Sequence, residues 1–505
     1  MLPEPTVSVL GTDPSWRQHV LNGNAFQQDA IQSFQGWQYA CFYSNPRGPE
    51  DLGSSTSSRE PLYAHLSRRK LPLGQWETLV FHDYPQTTDD GHNTVQLGIC
   101  PGDGTIHLSY DHHCDRLRYR HSIPSLATDP ESFPWSAEYF TPTLHHLPGL
   151  ESSSLPHTNL WRDITYPRFG QLGSDLWFSF RTGKAGLGDD HLYLYSASRG
   201  TYSPFFSSSS SSSTSDSSAA TTTTPFLKGI QNNPYIHGLD ARGGSLYVTW
   251  VYRDFVWYAG WDDPADTQHK QQAGPNSAAN NRDLCFAYSS SSSSSSTAAA
   301  AGQIWRNGAG DVIADRGRGD SITPSSPGVT AFRIPKGSGL TNQEAQAVDQ
   351  DGGLHVLNRD CCSSEENAGN GTSQVKWKHY YRDPTMKTWT SRALSCGYLS
   401  GKRGRLAVSR DGDLYFILPG GGDDRGNGLT IWKARKSGGY STYELVWRSG
   451  SSFPLTEPLV DTYRLDHDNV LSVFTRRYAA EEEVTTPGDE RRIDVVVLDF
   501  PLKLT

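Results

Sequence analysis

A strand-forming pattern that recurs seven times constrains the fold of this chain more than any other feature of its sequence. In each copy, a glycine or another turn residue is followed by alternating aromatic or aliphatic side chains. Successive copies lie about 57 to 70 residues apart, with one longer gap between the fourth and the fifth. The seven copies are residues 36–43, 104–110, 174–180, 244–250, 353–357, 412–416 and 469–474.

Alternation with a period of two is typical of β-strands, and most copies are followed by a second strand, as at residues 190–195 and 429–433. Seven such units predict an all-β protein, a seven-bladed β-propeller. The alternative is a β-sandwich with appended modules, but sandwich strands would not recur at so even a spacing. The C-terminal strand at residues 493–500 is expected to close the ring by pairing with the N-terminal blade.

Two tracts of Ser, Thr and Ala interrupt the pattern at residues 207–224 and 289–301. They contain too little apolar surface to offset the entropy of ordering, which predicts disordered loops. Because the strand pattern resumes after each tract, residues 1–505 are predicted to form a single propeller domain.

Charge and hydropathy exclude some classes of partner. The net charge is −9 and no stretch of the chain forms a basic stripe, so no nucleic acid partner is expected. No apolar run approaches the roughly 20 residues that span a bilayer, so no membrane association is expected. The first residues lack the features of a secretory leader. The protein is therefore expected to be extracellular if a leader has been removed and cytoplasmic otherwise, and to be a monomer.

A hairpin in the second repeat brings histidines together. Two strand segments, residues 94–100 and 105–110, flank a Pro-Gly-Asp-Gly turn. His92 and Asn93 precede the first strand, and His112 and His113 follow the second, after Asp111. Because the start of one antiparallel strand lies beside the end of its partner, these imidazoles should converge at one edge of the sheet.

The next two repeats carry comparable residues at the same strand ends. Tyr166 stands before Pro167, which favours an extended conformation at the head of a strand, and Arg181 ends the paired strand. One repeat later, Tyr235 and His237 enter a strand whose partner ends at Arg253. Equivalent positions in a propeller converge near the central channel, so these residues are expected to line one shared pocket.

A further group contains thiols and imidazoles that suit zinc. Cys361, Cys362 and His379 lie close to His355 in the sequence, and His237 is a candidate further ligand. Adjacent cysteines are not a standard ligand spacing, and free cysteines are often simply buried. The prediction is a structural zinc or calcium ion, with no cofactor required for catalysis.

The quoted residues resemble the BNR-repeat-type propeller polysaccharide lyases, which include ulvan lyases and fungal L-rhamnose-α-1,4-D-glucuronate lyases acting on gum arabic. The resemblance is densest over residues 75–260 and rests on the following segments: 90–94, 104–113, 117–120, 165–169 and 180–183. Runs of serine are typical of fungal sequences and favour the rhamnose–glucuronate enzymes. The implied substrate is an acidic polysaccharide containing rhamnose and glucuronate, cleaved at O4 of the uronate by β-elimination.

The resemblance also implies roles for individual residues. His92 and Asn93 would bind or neutralise the substrate carboxylate, and Arg181 would clamp it. His112, His113 and Tyr166 are candidates for the general base and acid, and the resemblance leaves open which of the two histidines is used. Tyr235 would line the pocket, and His237 and Arg253 are further candidates for binding substrate.

Other functions remain open from the sequence. An ulvan lyase would share the chemistry but act within a longer chain. A propeller glycoside hydrolase, such as an α-L-rhamnosidase, would need paired carboxylic acids, for which the candidates are Asp111, Asp189 and Asp254. A propeller that only binds glycans is the fourth possibility, because a fold does not fix a function.

Overall fold

The alternating strands form seven antiparallel sheets, which are arranged in a ring as the blades of a seven-bladed β-propeller. The structure is a computed structural model. It describes residues 1–45, 61–151, 160–205, 224–263, 274–290, 302–361, 374–396, 398–479 and 492–502.

The strands are introduced here in chain order, blade by blade. Strand β1 (Thr6–Thr12) precedes the first blade, which contains β2 (Ile31–Phe34), β3 (Trp37–Ser44), β4 (Leu62–Lys70) and β5 (Glu77–Gln86). The second blade contains β6 (Val95–Ile99), β7 (Ile106–Tyr110) and, after the short β8 (His113–Asp115), β9 (Tyr119–His121). The third contains β10 (Ile164–Leu172), β11 (Asp175–Lys184), β12 (Leu187–Ser196) and β13 (Thr201–Pro204), with β8 added beside β10.

The fourth blade is the largest and contains β14 (Asn232–Arg242), β15 (Ser245–Asp254), β16 (Asn281–Ser290), β17 (Ile304–Arg306), β18 (Val312–Asp315) and β19 (Thr330–Phe332). The fifth contains β20 (Ala345–Val348), β21 (Leu354–Asp360), β22 (Lys376–Arg382) and β23 (Trp389–Ala393). The sixth contains β24 (Arg405–Val408), β25 (Leu414–Pro419), β26 (Leu429–Ala434) and β27 (Glu444–Arg448). The seventh contains β28 (Leu459–Val460), helix α1 (Thr462–Asp468), β29 (Val470–Tyr478) and β30 (Ile493–Pro501).

Short 3₁₀ helices occupy connections between these strands. They span Pro130–Ser132, Ala137–Tyr139, Ala278–Asn280, Arg316–Arg318, Lys436–Gly438 and Gly450–Ser452. Across the described ranges, no helix has the length and apolar character needed to cross a membrane.

The sequence repeats correspond to one strand position in the ring. Each of the seven copies forms the second strand of its blade, namely β3, β7, β11, β15, β21, β25 and β29. The predicted β-propeller is therefore confirmed. Neighbouring blades pack through apolar faces, and a glycine permits one close approach: a Cβ atom at Gly98 would lie 2.5 Å from the side chain of Phe169 in the next blade.

The ring closes between the two ends of the described chain, as predicted, but the partner of the C-terminal strand is a separate N-terminal strand and not the first blade. Strand β1 pairs antiparallel with β30, so the N-terminal strand completes the seventh blade. A buried carboxylate then joins that blade to the first: Asp461 caps α1 by accepting from the Arg464 N–H at 3.0 Å. The same side chain accepts from Ser33 at 2.6 Å and from Gln38 at 2.8 Å.

The two Ser/Thr/Ala tracts lie mostly outside the described residues. At the edge of the second tract, Ser289 and Ser290 belong to β16, and Ser289 pairs with Leu246. This part of the tract is strand, not a loop, because the backbone ladder with β15 can continue whatever the side chains are. The division of the chain into one domain stays a prediction.

The closing strand provides a test of this packing. Leu498 is fully buried in β30, so Leu498→Ala is expected to lower the free energy of unfolding by about 2–5 kcal/mol through the cavity it leaves. The control is Val9→Ala on the paired strand β1, where Val9 is 54% exposed. It should change stability by less than about 1 kcal/mol. Urea unfolding followed by tryptophan fluorescence measures both, and equal effects would contradict this description of the closure.

Candidate active site

A bulge in β10 presents the first functional side chain. The pairing of β10 with β11 breaks between Thr165 and Arg168, so Tyr166 and Pro167 leave the ladder. Proline has no N–H to donate, which explains why pairing stops there. The extended conformation expected for Tyr166 before Pro167 is wrong: Tyr166 adopts a φ of 57°, an uncommon value for a bulky residue, because it lies in the bulge. Its ring consequently turns towards His92, with 5.7 Å between the ring centroids.

The predicted hairpin brings two histidines into contact. Strands β6 and β7 pair antiparallel, with Val95 opposite Tyr110, and the residues flanking them meet at one end. The imidazoles of His92 and His113 are stacked, with 3.7 Å between their centroids and 18° between their planes. Phe26 stacks on the other side of His92 at 4.5 Å.

One carboxylate orients both imidazoles. Oδ1 of Asp90 lies 2.6 Å from Nδ1 of His92, and Oδ2 of Asp90 lies 2.6 Å from Nδ1 of His113. A carboxylate oxygen only accepts hydrogen bonds, so each Nδ1 carries a proton. In the neutral form of each ring the lone pair is then on Nε2. Asp90 lies in the motif of residues 90–94, but the sequence alone did not indicate this role.

Burial keeps these imidazoles neutral. It lowers the pKa of His92, and it lowers the pKa of His113 to about 3, although Asp90 opposes both shifts. Burial also opposes ionisation of Asp90, but the hydrogen bonds from His113 and His92 outweigh it and hold the pKa of that carboxyl well below its usual range. At neutral pH the group is therefore an anionic carboxylate that accepts from two neutral imidazoles, each able to take up a proton at Nε2.

Two arginines and two tyrosines form a layer beside the histidines. The Arg181 guanidinium lies 4.9 Å from the ring centroid of Tyr166 and donates to Oη of Tyr235 at 3.1 Å. Arg253 donates to the same Oη at 3.3 Å and covers the Tyr235 ring at 4.4 Å. Burial raises the pKa of the Tyr166 phenol well above its usual value, although the charge of Arg181 opposes this shift. Tyr166 is therefore protonated at neutral pH.

Arg181 is more deeply placed than a carboxylate clamp would require. Its side chain is among the fully buried ones and also donates to Oγ1 of Thr165 and to the carbonyl of Gly183, both at 3.2 Å. The prediction that Arg181 clamps the substrate carboxylate therefore stays a prediction. The structure places the guanidinium of Arg181 directly beneath the ring of Tyr166.

A third arginine, which the sequence did not indicate, borders the cluster. Arg403 covers the ring of Phe26 at 4.8 Å, and its charge contributes to lowering the pKa of His92. Its Nη1 lies 3.4 Å from Glu457, and its Nη2 donates to Oδ1 of Asn342 at 3.1 Å. No motif surrounds Arg403 in the sequence, and it reaches the site only because the sixth blade lies across the channel from the hairpin.

Asn93 and His112 face away from the stacked imidazoles. Asn93 donates to Oδ1 of Asp111 at 2.7 Å, and Tyr84 donates to Oδ2 of Asp111 at 2.5 Å. Nε2 of His112 accepts from the Arg118 N–H at 2.8 Å. Of the two histidines left open by the sequence, His113 is the one that contacts His92.

The residues proposed to bind zinc are not brought together. Nδ1 of His237 accepts from the Glu344 N–H at 3.0 Å, and Nε2 of His379 lies 3.0 Å from Nδ1 of His355. Cys362 lies outside the described residues. Among the described residues, neither Cys361 nor these histidines belongs to a group of three or more closely spaced metal-ligating side chains.

Asp90, His92 and His113 form a group that could hold a metal ion, with ligand atoms within 4.8 Å of one another. Two imidazoles and one carboxylate suit a divalent transition metal. Such an ion would have to replace the two Nδ1 protons that now bind Asp90.

Comparisons with known proteins agree with the fold. A model of the BNR repeat-containing family matches residues 37–396. No curated protein matches the chain. The structure is similar to that of polysaccharide lyase Uly1, with 17% identity, a TM-score of 0.63, and coverage of 96% of this chain and 93% of that chain.

Two other solved structures are less similar. The α-L-arabinanase of Penicillium chrysogenum is 11% identical with a TM-score of 0.38, over 81% of this chain and 93% of that chain. The α-L-arabinofuranosidase of Fusarium graminearum is 10% identical with a TM-score of 0.35, over 80% of this chain and 91% of that chain.

The buried histidines predict a pH dependence of stability. Burial lowers the pKa of nine described histidines, namely His65, His92, His107, His112, His113, His121, His237, His355 and His379. The unfolded chain therefore binds more protons at these positions, and each one reduces stability as pH falls below about 6.5, by up to about 1.4 kcal/mol per pH unit. Five carboxyl groups with raised pKa values act in the opposite direction: Asp29, Asp189, Asp190, Asp240 and Glu344.

Because the histidines outnumber these acids, the free energy of unfolding should fall between pH 6.5 and 4.5. Urea unfolding at several pH values measures the slope. His237, whose pKa is lowered to about 3, provides the matched variant. His237→Gln should reduce the dependence of the free energy of unfolding on pH by about 1.4 kcal/mol per pH unit, which corresponds to one proton. A stability that does not change over this pH range would contradict the neutral state of the buried imidazoles.

Proposed function

The chain belongs to the BNR repeat-containing family, and from this premise we propose that it is a polysaccharide lyase. It cleaves the L-rhamnose-α-1,4-D-glucuronate linkage by β-elimination, releases rhamnose and leaves a 4,5-unsaturated glucuronate. The observation that carries the proposal is the pair of neutral imidazoles on Asp90, next to a protonated tyrosine that lies over an arginine. The similarity to polysaccharide lyase Uly1 agrees with it at the level of the fold.

The imidazoles supply the base. The C5 proton of glucuronate is weakly acidic because it lies α to a carboxylate. Nε2 of a neutral imidazole can accept it, and the carboxylate of Asp90 stabilises the imidazolium that forms. The side chain of His92 is 24% exposed and that of His113 is 5% exposed, so His92 is the better placed of the two to meet a substrate.

Tyr166 supplies the acid. Its phenol is protonated at neutral pH, since burial raises its pKa. When the C4–O4 bond breaks, O4 leaves with the electron pair of that bond and takes a proton from the phenol. The guanidinium of Arg181 beneath the ring stabilises the phenolate that remains. The proton removed at C5 and the proton given to O4 therefore pass through different side chains.

Positive charge near the site stabilises the intermediate. Removal of the C5 proton places additional negative charge on the substrate carboxylate, which must be neutralised. Arg181, Arg253 and Arg403 surround the layer of His92, Tyr166 and Tyr235 from two sides. A neutral substrate would gain little from these charges, which favours a uronate.

A hydrolase fits these residues less well. Hydrolysis needs one carboxylic acid that is protonated at working pH, whereas the hydrogen bonds to Asp90 keep it ionised. The three other candidates are already engaged: Asp111 accepts from Asn93, Asp189 accepts from the Gly229 N–H at 2.7 Å, and Asp254 pairs with Arg282 at 2.6 Å.

The test is incubation with gum arabic in the presence of a chelator, because no metal is needed in this mechanism. Free rhamnose and the ultraviolet absorbance of an unsaturated uronate are recorded together. We expect both to rise in parallel. Rhamnose without absorbance would indicate a hydrolase and contradict the proposal. If neither signal appears, absorbance with ulvan as substrate would keep the lyase chemistry but overturn the proposed linkage.

The role of His92 can be tested with a matched histidine. His92→Ala is expected to lower kcat by about 10²–10⁴-fold, since the general base is lost. The control is His82→Ala, because His82 is exposed on β5 and lies outside the cluster. It should retain full activity. Similar rates for the two variants would contradict the proposed site.

The division of acid and base predicts a pH profile. Activity should persist below about pH 6.5 and fall only at more acidic pH, because burial lowers the pKa of His92 and His113 and keeps both imidazoles neutral. It should also persist up to about pH 9, because Tyr166 keeps its proton. Tyr166→Phe should lower kcat by a similar factor of about 10²–10⁴. The rate of this variant should recover with a substrate whose leaving group needs no proton, such as an aryl 4-O-glucuronate. If it does not recover, Tyr166 is not the acid.

A further inference from the structure

One tryptophan on the catalytic face differs from all the others. The chain has 14 tryptophans, every one within the described ranges, and Trp257 alone is exposed, at 63%. Its neighbour Val256 is 38% exposed. Isolated exposed apolar residues are ordinary on a protein surface, but an exposed indole beside an active site is a feature of ligand recognition.

The position of Trp257 follows from the order of strands. Residues 255–263 follow β15, the second strand of the fourth blade, just as Arg181 lies near the end of the second strand of the third blade. Both therefore lie on the same face of the ring. Trp257 is only four residues from Arg253, which bounds their Cα separation at roughly 14 Å.

The segment is attached to the site by hydrogen bonds at several points. Val256 and Asn276 bind each other twice, through the Val256 N–H at 2.6 Å and the Val256 carbonyl at 2.9 Å. Arg253, which contacts Tyr235, also donates to the Asn276 carbonyl at 3.2 Å. Further along, Nζ of Lys184 donates to the Trp261 carbonyl at 2.9 Å. The indole of Trp257 is thus presented from a segment that is fixed to the candidate catalytic layer.

The surrounding charges indicate which sugar would suit this indole. Lys184 and the exposed Lys228 lie on the neighbouring connections, while Asp262 and Asp263 are exposed on the segment itself. The two positive and two negative charges balance, whereas the catalytic layer carries the three positive charges of its arginines. The face of an indole carries partial negative charge and attracts the polarised C–H groups of a pyranose ring. A neutral sugar therefore fits this surface better than a second uronate.

We propose that Trp257 forms a second carbohydrate subsite, which binds a neutral sugar of the polysaccharide near the glucuronate that is cleaved. This inference rests on the proposed function, because it assumes that the substrate is a polysaccharide held at the catalytic face. It implies that the enzyme recognises a stretch of chain and not the terminal disaccharide alone.

The experiment separates binding from turnover. Binding is measured as retardation in native gels containing gum arabic, and turnover as unsaturated uronate formed from gum arabic and from a rhamnosyl-glucuronate disaccharide. Trp257→Ala should abolish most of the retardation and raise KM on the polymer at least fivefold, with kcat unchanged and with little effect on the disaccharide. The retardation and the KM of Trp257→Phe should lie between those of Trp257→Ala and those of the wild type.

Met386→Ala is the control, because Met386 is 70% exposed on the turn between β22 and β23, at the other face of the ring. It should behave as the wild type. Unchanged binding and KM in Trp257→Ala would overturn the subsite, even if the wild type is a lyase. Retardation that depends on Trp257 in a protein that forms no unsaturated uronate would overturn the lyase function but retain the subsite. A loss of kcat on the disaccharide as well would place Trp257 within the catalytic layer and contradict a separate subsite.

Discussion

The candidate active site depends on the carboxylate of Asp90, which accepts a hydrogen bond from each of two stacked imidazoles. This contact fixes the tautomer of both rings and leaves the same nitrogen of each, Nε2, as the proton acceptor. It also allows two basic groups to lie 3.7 Å apart, because both are neutral when they meet. Without an ionised partner in this position, neither the orientation nor the tautomer of the two histidines would be defined.

The propeller explains how distant parts of the sequence supply one site. The first strand of every blade begins on the same face, so residues just before or within that end lie near the shared channel mouth. Phe26, His92, Tyr166, Tyr235 and Arg403 reach the site from five different blade connections or strand ends. The bulge at Tyr166 and Pro167 turns a side chain out of the ladder towards the channel, which a regular strand could not do.

The sequence predicted the periodic features well. The seven strands, the ring closure through residues 493–500 and the convergence of His92 with a histidine after β7 follow from alternation and antiparallel geometry, which are local properties. It could not choose between His112 and His113, because the positive φ of Asp111 and of Cys114 reorients this turn in a way that alternation does not indicate. It also missed Arg403, and it grouped His237, Cys361 and His379 for zinc, since proximity in a sequence does not report which way side chains point on neighbouring blades.

The pairing of β1 with β30 has a consequence for how the protein is made. Residues 6–12 are synthesised long before the strand that pairs with them, so the last blade cannot assemble until residues 493–501 have been made. During that interval β1 lacks its partner strand, so its backbone N–H and C=O groups are open to pairing with other chains. The first, fourth, fifth and sixth blades, in contrast, are each built from contiguous sequence and can form in the order in which they emerge from the ribosome.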